Sequence, residues 1–181
     1  DQVVSVLLPR AFSKHQFTAT WIDLDTQLVY VDAASSKRAE DALALLRKTL
    51  GSLPVVPISF TVPPIEVMTR WIAQDDAPNW LTLLEDAELK AFDTDSIIRC
   101  KRQDLSAEEI SQHLQAGKFV TKLAIEWENH FACILNEDAT LSRLKFADVV
   151  REKNDDILKE DVAQRFDADF LLMTAELQQF S

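Results

Sequence analysis

Two periods of apolar side chains run along the chain and predict two kinds of element: alternation gives strands, and recurrence every three to four residues gives helices. QFTATWIDL and QLVYVDA alternate, and Asp25-Thr26 between them marks a hairpin with Phe17, Ala19 and Trp21 on one face. Ser36 is expected to cap a helix over 37–50, in which Ala39, Ala42, Leu43, Leu46 and Leu50 fall at helical spacing. Gly51 suits the position just past its end, and Pro54 prevents continuation. Ahead of the hairpin, DQVVSVLLPR reads as the end of a helix stopped by Pro9.

Downstream, the prolines of LPVVPISFTVPP suit an edge strand or a linker, and PIEVMTRWIAQ predicts a short amphipathic helix starting at a proline. Residues 75–79 (DDAPN) form a loop. NWLTLLEDAELKAF fits a strand or a helix equally, and IIRCKRQ follows as a strand. In SAEEISQHLQAG, Ser106 and Glu109 have the spacing of a capping box, and Gly117 ends the helix. KFVTKLAIEW, HFACILN and TLSRLKFA then alternate, with turns at Glu128-Asn129 and Glu137-Asp138, which predicts an antiparallel meander. The last element is a helix over 159–180 with Val162, Phe166, Phe170, Met173 and Leu177 on one stripe. Helices interspersed with hairpins predict an α+β fold with largely antiparallel sheets. Two parts are expected, 1–62 and 63–181, dividing near Pro63 or at the 75–79 loop.

Composition narrows the class. The chain has 181 residues, 47% of them hydrophobic, and a formal net charge of −11, the profile of an ordinary globular protein. No apolar run approaches the roughly 20 residues that span a bilayer. The chain begins without an initiator Met or the features of a signal peptide, so it reads as a fragment or a processed product in the cytoplasm. Cys100 and Cys133 lie in strand-like runs and read as reduced core thiols. With His15, His113 and His130 at unrelated spacings, they build no zinc signature. No carboxylate lies beside any of the histidines in sequence, which points to structural or surface roles. The two glycines, Gly51 and Gly117, both end helices, so phosphate-cradling loops and nucleophile elbows are absent.

Acids crowd one stretch: residues 148–169 carry eight against four cations. Asp155, Asp156, Glu160, Asp161, Asp167 and Asp169 are the candidate Mg²⁺ ligands of a nuclease. Asp167 and Asp169, however, lie two apart on a helix and point about 200° apart. A solvated helix face accounts for them more simply.

IRCKRQD puts Arg99, Lys101 and Arg102 into four consecutive positions of this acidic chain. As a strand, it would turn Arg99, Lys101 and Gln103 to one face and Ile98, Cys100 and Arg102 to the other. On composition alone, these cations offset neighbouring acids on a wet surface. Lys37, Arg38, Arg47, Lys48, Lys118, Lys122, Arg143 and Lys145 would extend them into a basic track if they converge. Phe12, between Ala11 and Ser13, either plugs its own core or packs against a symmetry mate.

Longer segments carry a resemblance. LLPRAFS, VDAASSKRAEDALALLRKTLGSLPVVP, KRQDLSAEEISQHLQAGKFVTKLA, RLKFAD and EDVAQRFDADFLLMTAEL, in this order, closely resemble the bacterial recombination-associated RdgC family. The resemblance implies a non-enzymatic, nucleoid-associated protein binding double-stranded DNA with little sequence preference. It also implies a ring-shaped homodimer that restrains the recombinase RecA, with neither cofactor nor metal, no membrane and no small-molecule substrate. Family chains would extend further at both ends, with a lysine-rich arm ahead of LLPRAFS. Arg102 and Gln103 would line the DNA path with Arg99 and Lys101, helped by Lys37, Arg38 and Lys118. Phe12 would close a gate between subunits. Some family members carry an exonuclease label, which keeps the carboxylate reading as one alternative. A pure protein-interaction module is another.

Overall fold

The computed structural model describes residues 7, 10–12, 15–158 and 160–180. It divides the chain into two units, Asp1–Ile58 and Ser59–Ser181. The helix expected over DQVVSVLLPR lies outside the described residues except at Leu7 and Arg10.

In the first unit, β1 (Ala19–Asp23) and β2 (Leu28–Asp32) pair antiparallel. Trp21 faces Tyr30 and stacks on it at 4.4 Å. The turn is held by Asp23, whose carboxylate accepts from the Thr26 hydroxyl at 2.7 Å and the Asp25 amide at 3.0 Å. Helix α1 (Ser36–Leu50) follows. Its cap is Ser35 rather than the expected Ser36: the Ser35 hydroxyl accepts from the Arg38 amide at 3.3 Å. Either serine satisfies the preference, and the one whose backbone is still extended takes the role. Gly51 ends the helix in the left-handed conformation (φ +80°), where a Cβ would be strained. LPVVPISFTVPP pairs with no strand, so of its two readings the linker is the observed one.

The second unit is built on a five-stranded antiparallel sheet of order β4-β3-β5-β6-β7. Its strands are β3 (Leu81–Lys90), β4 (Ile97–Cys100), β5 (Phe119–Trp127), β6 (Phe131–Asn136) and β7 (Leu141–Phe146). The ambiguous NWLTLLEDAELKAF is therefore a strand, inside the sheet and paired on both sides. Helix α2 (Pro64–Gln74) starts at its proline as expected. Helix α3 (Glu108–Gln115) lies between β4 and β5. Helix α4 (Asp148–Arg151) leads through a 3₁₀ turn to α5 (Val162–Phe180).

One face of the sheet presents Ala87, Leu123, Ile125, Phe131 and Cys133 to the core. Met68, Trp71 and Ile72 of α2, Ile110 and Leu114 of α3, and Phe180 at the end of α5 pack with them. Phe131 is the centre of an aromatic group, edge-on to Trp127, Phe146 and Phe180 at 5.0–6.0 Å. The Thr69 hydroxyl accepts from the Val120 amide at 2.9 Å and pins α2 to the start of β5.

Three expectations are corrected. The capping box does not form: the Ser106 hydroxyl donates to Asp104 at 2.6 Å, and α3 starts without a side-chain cap. Asp104, two residues upstream, competes successfully for that hydroxyl. The last helix starts at Val162, where the Asp161 carboxylate accepts from the Gln164 amide at 3.2 Å. The N-terminal part of its apolar stripe, Val162 and Phe166, is exposed. Finally, His130 does meet a carboxylate. Its ring stacks on Trp127 at 3.7 Å, and its Nδ1 contacts the buried Glu176 of α5, with Lys153 Nζ 3.8 Å away on the other oxygen. Glu176 lies 46 residues from His130, so no local pattern could announce the pair.

Candidate nucleic-acid interface

The second face of the sheet starts from β5, where alternation sends Lys122, Ala124 and Glu126 away from the core. Cross-strand register extends this into a polar row: Arg99 of β4 faces Glu88 of β3, Glu88 faces Lys122, and Lys122 faces Asn136 of β6. The Asn136 side-chain amide donates to the Ser142 hydroxyl of β7 at 3.2 Å, so the row crosses all five strands. Thr82, Arg99, Lys122, Glu126, Ser142 and Lys145 on this face are exposed.

Two carboxylates organise the cations. Glu88 accepts from Arg99 Nε through one oxygen at 2.9 Å and lies 3.0 Å from Lys122 Nζ through the other. Burial pushes the Glu88 carboxyl up, but the hydrogen bonds and charges of Arg99 and Lys122 outweigh it and hold the group below its ordinary value. Asp86 binds Lys101 Nζ at 2.6 Å and the Arg102 amide at 3.1 Å. The Lys101 hydrogen bond, then the Arg102 amide, lower its carboxyl, and the charges of Lys101 and Arg143 add to this.

A bulge places Asp86 there. Leu83 faces Ile125 and Ala87 faces Leu123, so four steps along β3 meet two along β5, and residues 84–86 loop out of the ladder. The freed Glu85 carbonyl accepts from the Gln103 amide at 3.1 Å, while Asp86 takes Lys101 and Arg102. The strand expected to run through IRCKRQ therefore stops at Cys100. Arg102 adopts φ +51°, in the left-handed region uncommon for a residue with a side chain. The expected alternation of faces fails beyond Cys100 because these contacts turn the chain out of the sheet.

The remaining candidates have separate settings. The Arg102 side chain is exposed, and no ion pair holds it among the described residues. The Gln103 side-chain amide donates to Glu109 of α3. Lys118 precedes β5, half-buried, its amide on the His113 carbonyl at 3.2 Å. In the first unit Lys37 is exposed on the first turn of α1, whereas the Arg38 guanidinium donates to the Phe17 carbonyl at 2.6 Å and braces the hairpin entry. Phe12 is fully exposed.

Of the acids in 148–169, Asp169 accepts from Asn154 at 3.0 Å and lies 3.8 Å from Arg165. Asp167 and Asp169 sit on one unbroken helix. No group of three or more His, Cys, Asp or Glu is placed to hold a metal ion among the described residues. Among these residues, no helix is long and apolar enough to cross a membrane.

A family model described as "Putative exonuclease, RdgC" matches residues 1–181, the whole chain. The chain belongs to the RdgC family. Among curated RdgC relatives, "Recombination-associated protein RdgC" of Actinobacillus pleuropneumoniae serotype 7 is 81% identical over 181 residues, covering 100% of this chain. The proteins of the same name from Mannheimia succiniciproducens and Haemophilus influenzae (strain PittGG) are 71% and 64% identical over 177 and 178 residues, each covering 98% of the chain. The chain spans 59–60% of the length of these relatives. The segments that carry the RdgC resemblance in the sequence thus belong to a match that runs end to end.

Proposed function

We propose that the intact protein is a non-enzymatic, nucleoid-associated protein of the cytoplasm that binds double-stranded DNA with little sequence preference. In this reading it works in recombination as a ring-shaped homodimer that restrains RecA. The relatives' name supports the process. The observation that carries the binding mode is the pairing of Arg99, Lys101 and Lys122 with two carboxylates at one exposed sheet face. Exposed Arg102 stands beside them. Arg forks and Lys ammonium groups suit phosphate oxygens, whose contacts carry no sequence information.

The bland reading of the same cations has a physical basis. β4 and β7 are the edges of the sheet, and edge cations discourage edge-to-edge pairing. It accounts for Arg99, Arg143 and Lys145 but not for Lys122, which lies on the central strand β5. An exonuclease needs converging metal ligands, whereas Asp167 and Asp169 diverge on one helix and no metal-holding group of three or more forms among the described residues. A pure interaction module leaves the basic row without a use.

Titration of the full-length protein with unrelated duplexes at several salt concentrations tests the reading. Affinity should fall steeply with salt and vary little between sequences, because counterions leave the phosphates. The double variant Arg102→Ala/Gln103→Ala should weaken binding to all sequences and flatten the salt slope by about one, without lowering thermal stability. Binding that is absent or indifferent to salt would reject the proposal. Metal-dependent loss of DNA ends in rigorously purified protein would favour the exonuclease instead.

A further inference from the structure

Glu88 lies beneath the cations it pairs with: its side chain is 14% exposed, against 69% for Arg99 and 48% for Lys122. Asp86 repeats the arrangement at 29%, with Lys101 at 57%. At these two sites a ligand approaching from solvent meets the cations first and their carboxylates behind them. Each carboxylate already occupies donors that a phosphate oxygen would want. Glu88 uses Arg99 Nε and Lys122 Nζ, and Asp86 uses Lys101 Nζ.

The cations are the exposed ends of these pairs and the carboxylates the covered ones, so water and other anions compete for the cations while the carboxylates stay fixed beneath them. Donors of Arg99, Lys122 and Lys101 can turn to a phosphate oxygen at nearly the same distance, but only in competition with the carboxylate each already serves. The fixed negative charge beneath the donors persists after exchange and lowers the net attraction. These cations are therefore a layer already partly neutralised by the protein itself.

We propose that Glu88 and Asp86 are built-in competitors of the DNA phosphates, which hold the binding of this face weak and readily reversible by salt. This rests on the DNA-binding reading and adds its regulation: the two carboxylates, rather than the number of cations alone, set affinity. A protein that must let go of DNA of any sequence gains from such competition, because its off-rate is then set by side chains a few ångströms from the phosphates. The two residues act on DNA only through Arg99, Lys122 and Lys101, so they are positioning residues.

The test uses the full-length protein and duplex DNA. Glu88→Gln keeps the shape and removes the charge, and Asp86→Asn does the same at the second site. Each should bind about threefold tighter or more at low salt and show a salt slope steeper by about 0.9, one additional phosphate contact. Glu88→Asp keeps the charge and should keep the wild-type slope. A merely structural role would alter thermal stability and leave the slope alone. If wild-type protein binds with a normal salt dependence and folded Glu88→Gln and Asp86→Asn match it or bind more weakly, this inference fails and the DNA reading stands. If the wild type shows no salt-dependent binding, both fail. Should Glu88→Gln not fold, the more exposed Asp86→Asn decides alone.

Discussion

At the scale of single residues, environment rather than residue type sets the chemistry. Cys100 and Cys133 are both free and buried, in agreement with their reading as reduced core thiols. Burial raises the Cys133 thiol from its ordinary 9.0 to about 12, and burial followed by the charge of Glu109 raises Cys100. The thiolate is the reactive form, so a shift of that size leaves Cys133 about a thousandfold less thiolate at neutral pH. Native protein at pH 8 should therefore react very slowly with a thiol reagent, Cys133 last, and denaturant should release both thiols together. Rapid labelling of Cys133 in folded protein would show that β6 opens far more often than its packing implies. His130 carries the opposite lesson. Its neighbours in sequence gave it no carboxylate partner, and the fold supplies Glu176 from 46 residues away.

At the scale of elements, periodicity located most helices and strands, while their ends followed from hydrogen bonds that it does not report. Helix α1 is the clearest case, since adjacent serines could each cap it. With the Ser35 hydroxyl on the Arg38 amide, Ser35→Ala should cost about 1 kcal/mol of stability in the first unit. Ser36→Ala should change thermal unfolding by only a few tenths, about the scatter of a surface substitution. Equal effects at both positions would mean that the cap is shared. β4 shows the same principle from the other side. Alternation would carry the strand on to Gln103, but Asp86 and the Glu85 carbonyl take the amides of Arg102 and Gln103, and the strand stops at Cys100.

At the scale of the molecule, the exposed Phe12 bears on the proposed ring. A full aromatic side chain in water is a cost that a partner surface would remove. Phe12→Ser in the full-length protein should give a dimer of unchanged thermal stability that leaves circular DNA more readily than wild type. A variant that unfolds would assign Phe12 to a core formed with residues outside those described. The sequence by itself determined the α+β class, the antiparallel meander, helix α2 and the family, because these rest on local periods and on long stretches of matching residues. Only the tertiary structure decided what surrounds the cations. The bulge in β3 and the register of β3, β4 and β5 bring Arg99 and Lys122 to Glu88, and Lys101 to Asp86. Those partners come from separate strands, and charge pairing across a sheet leaves no periodic trace along the chain.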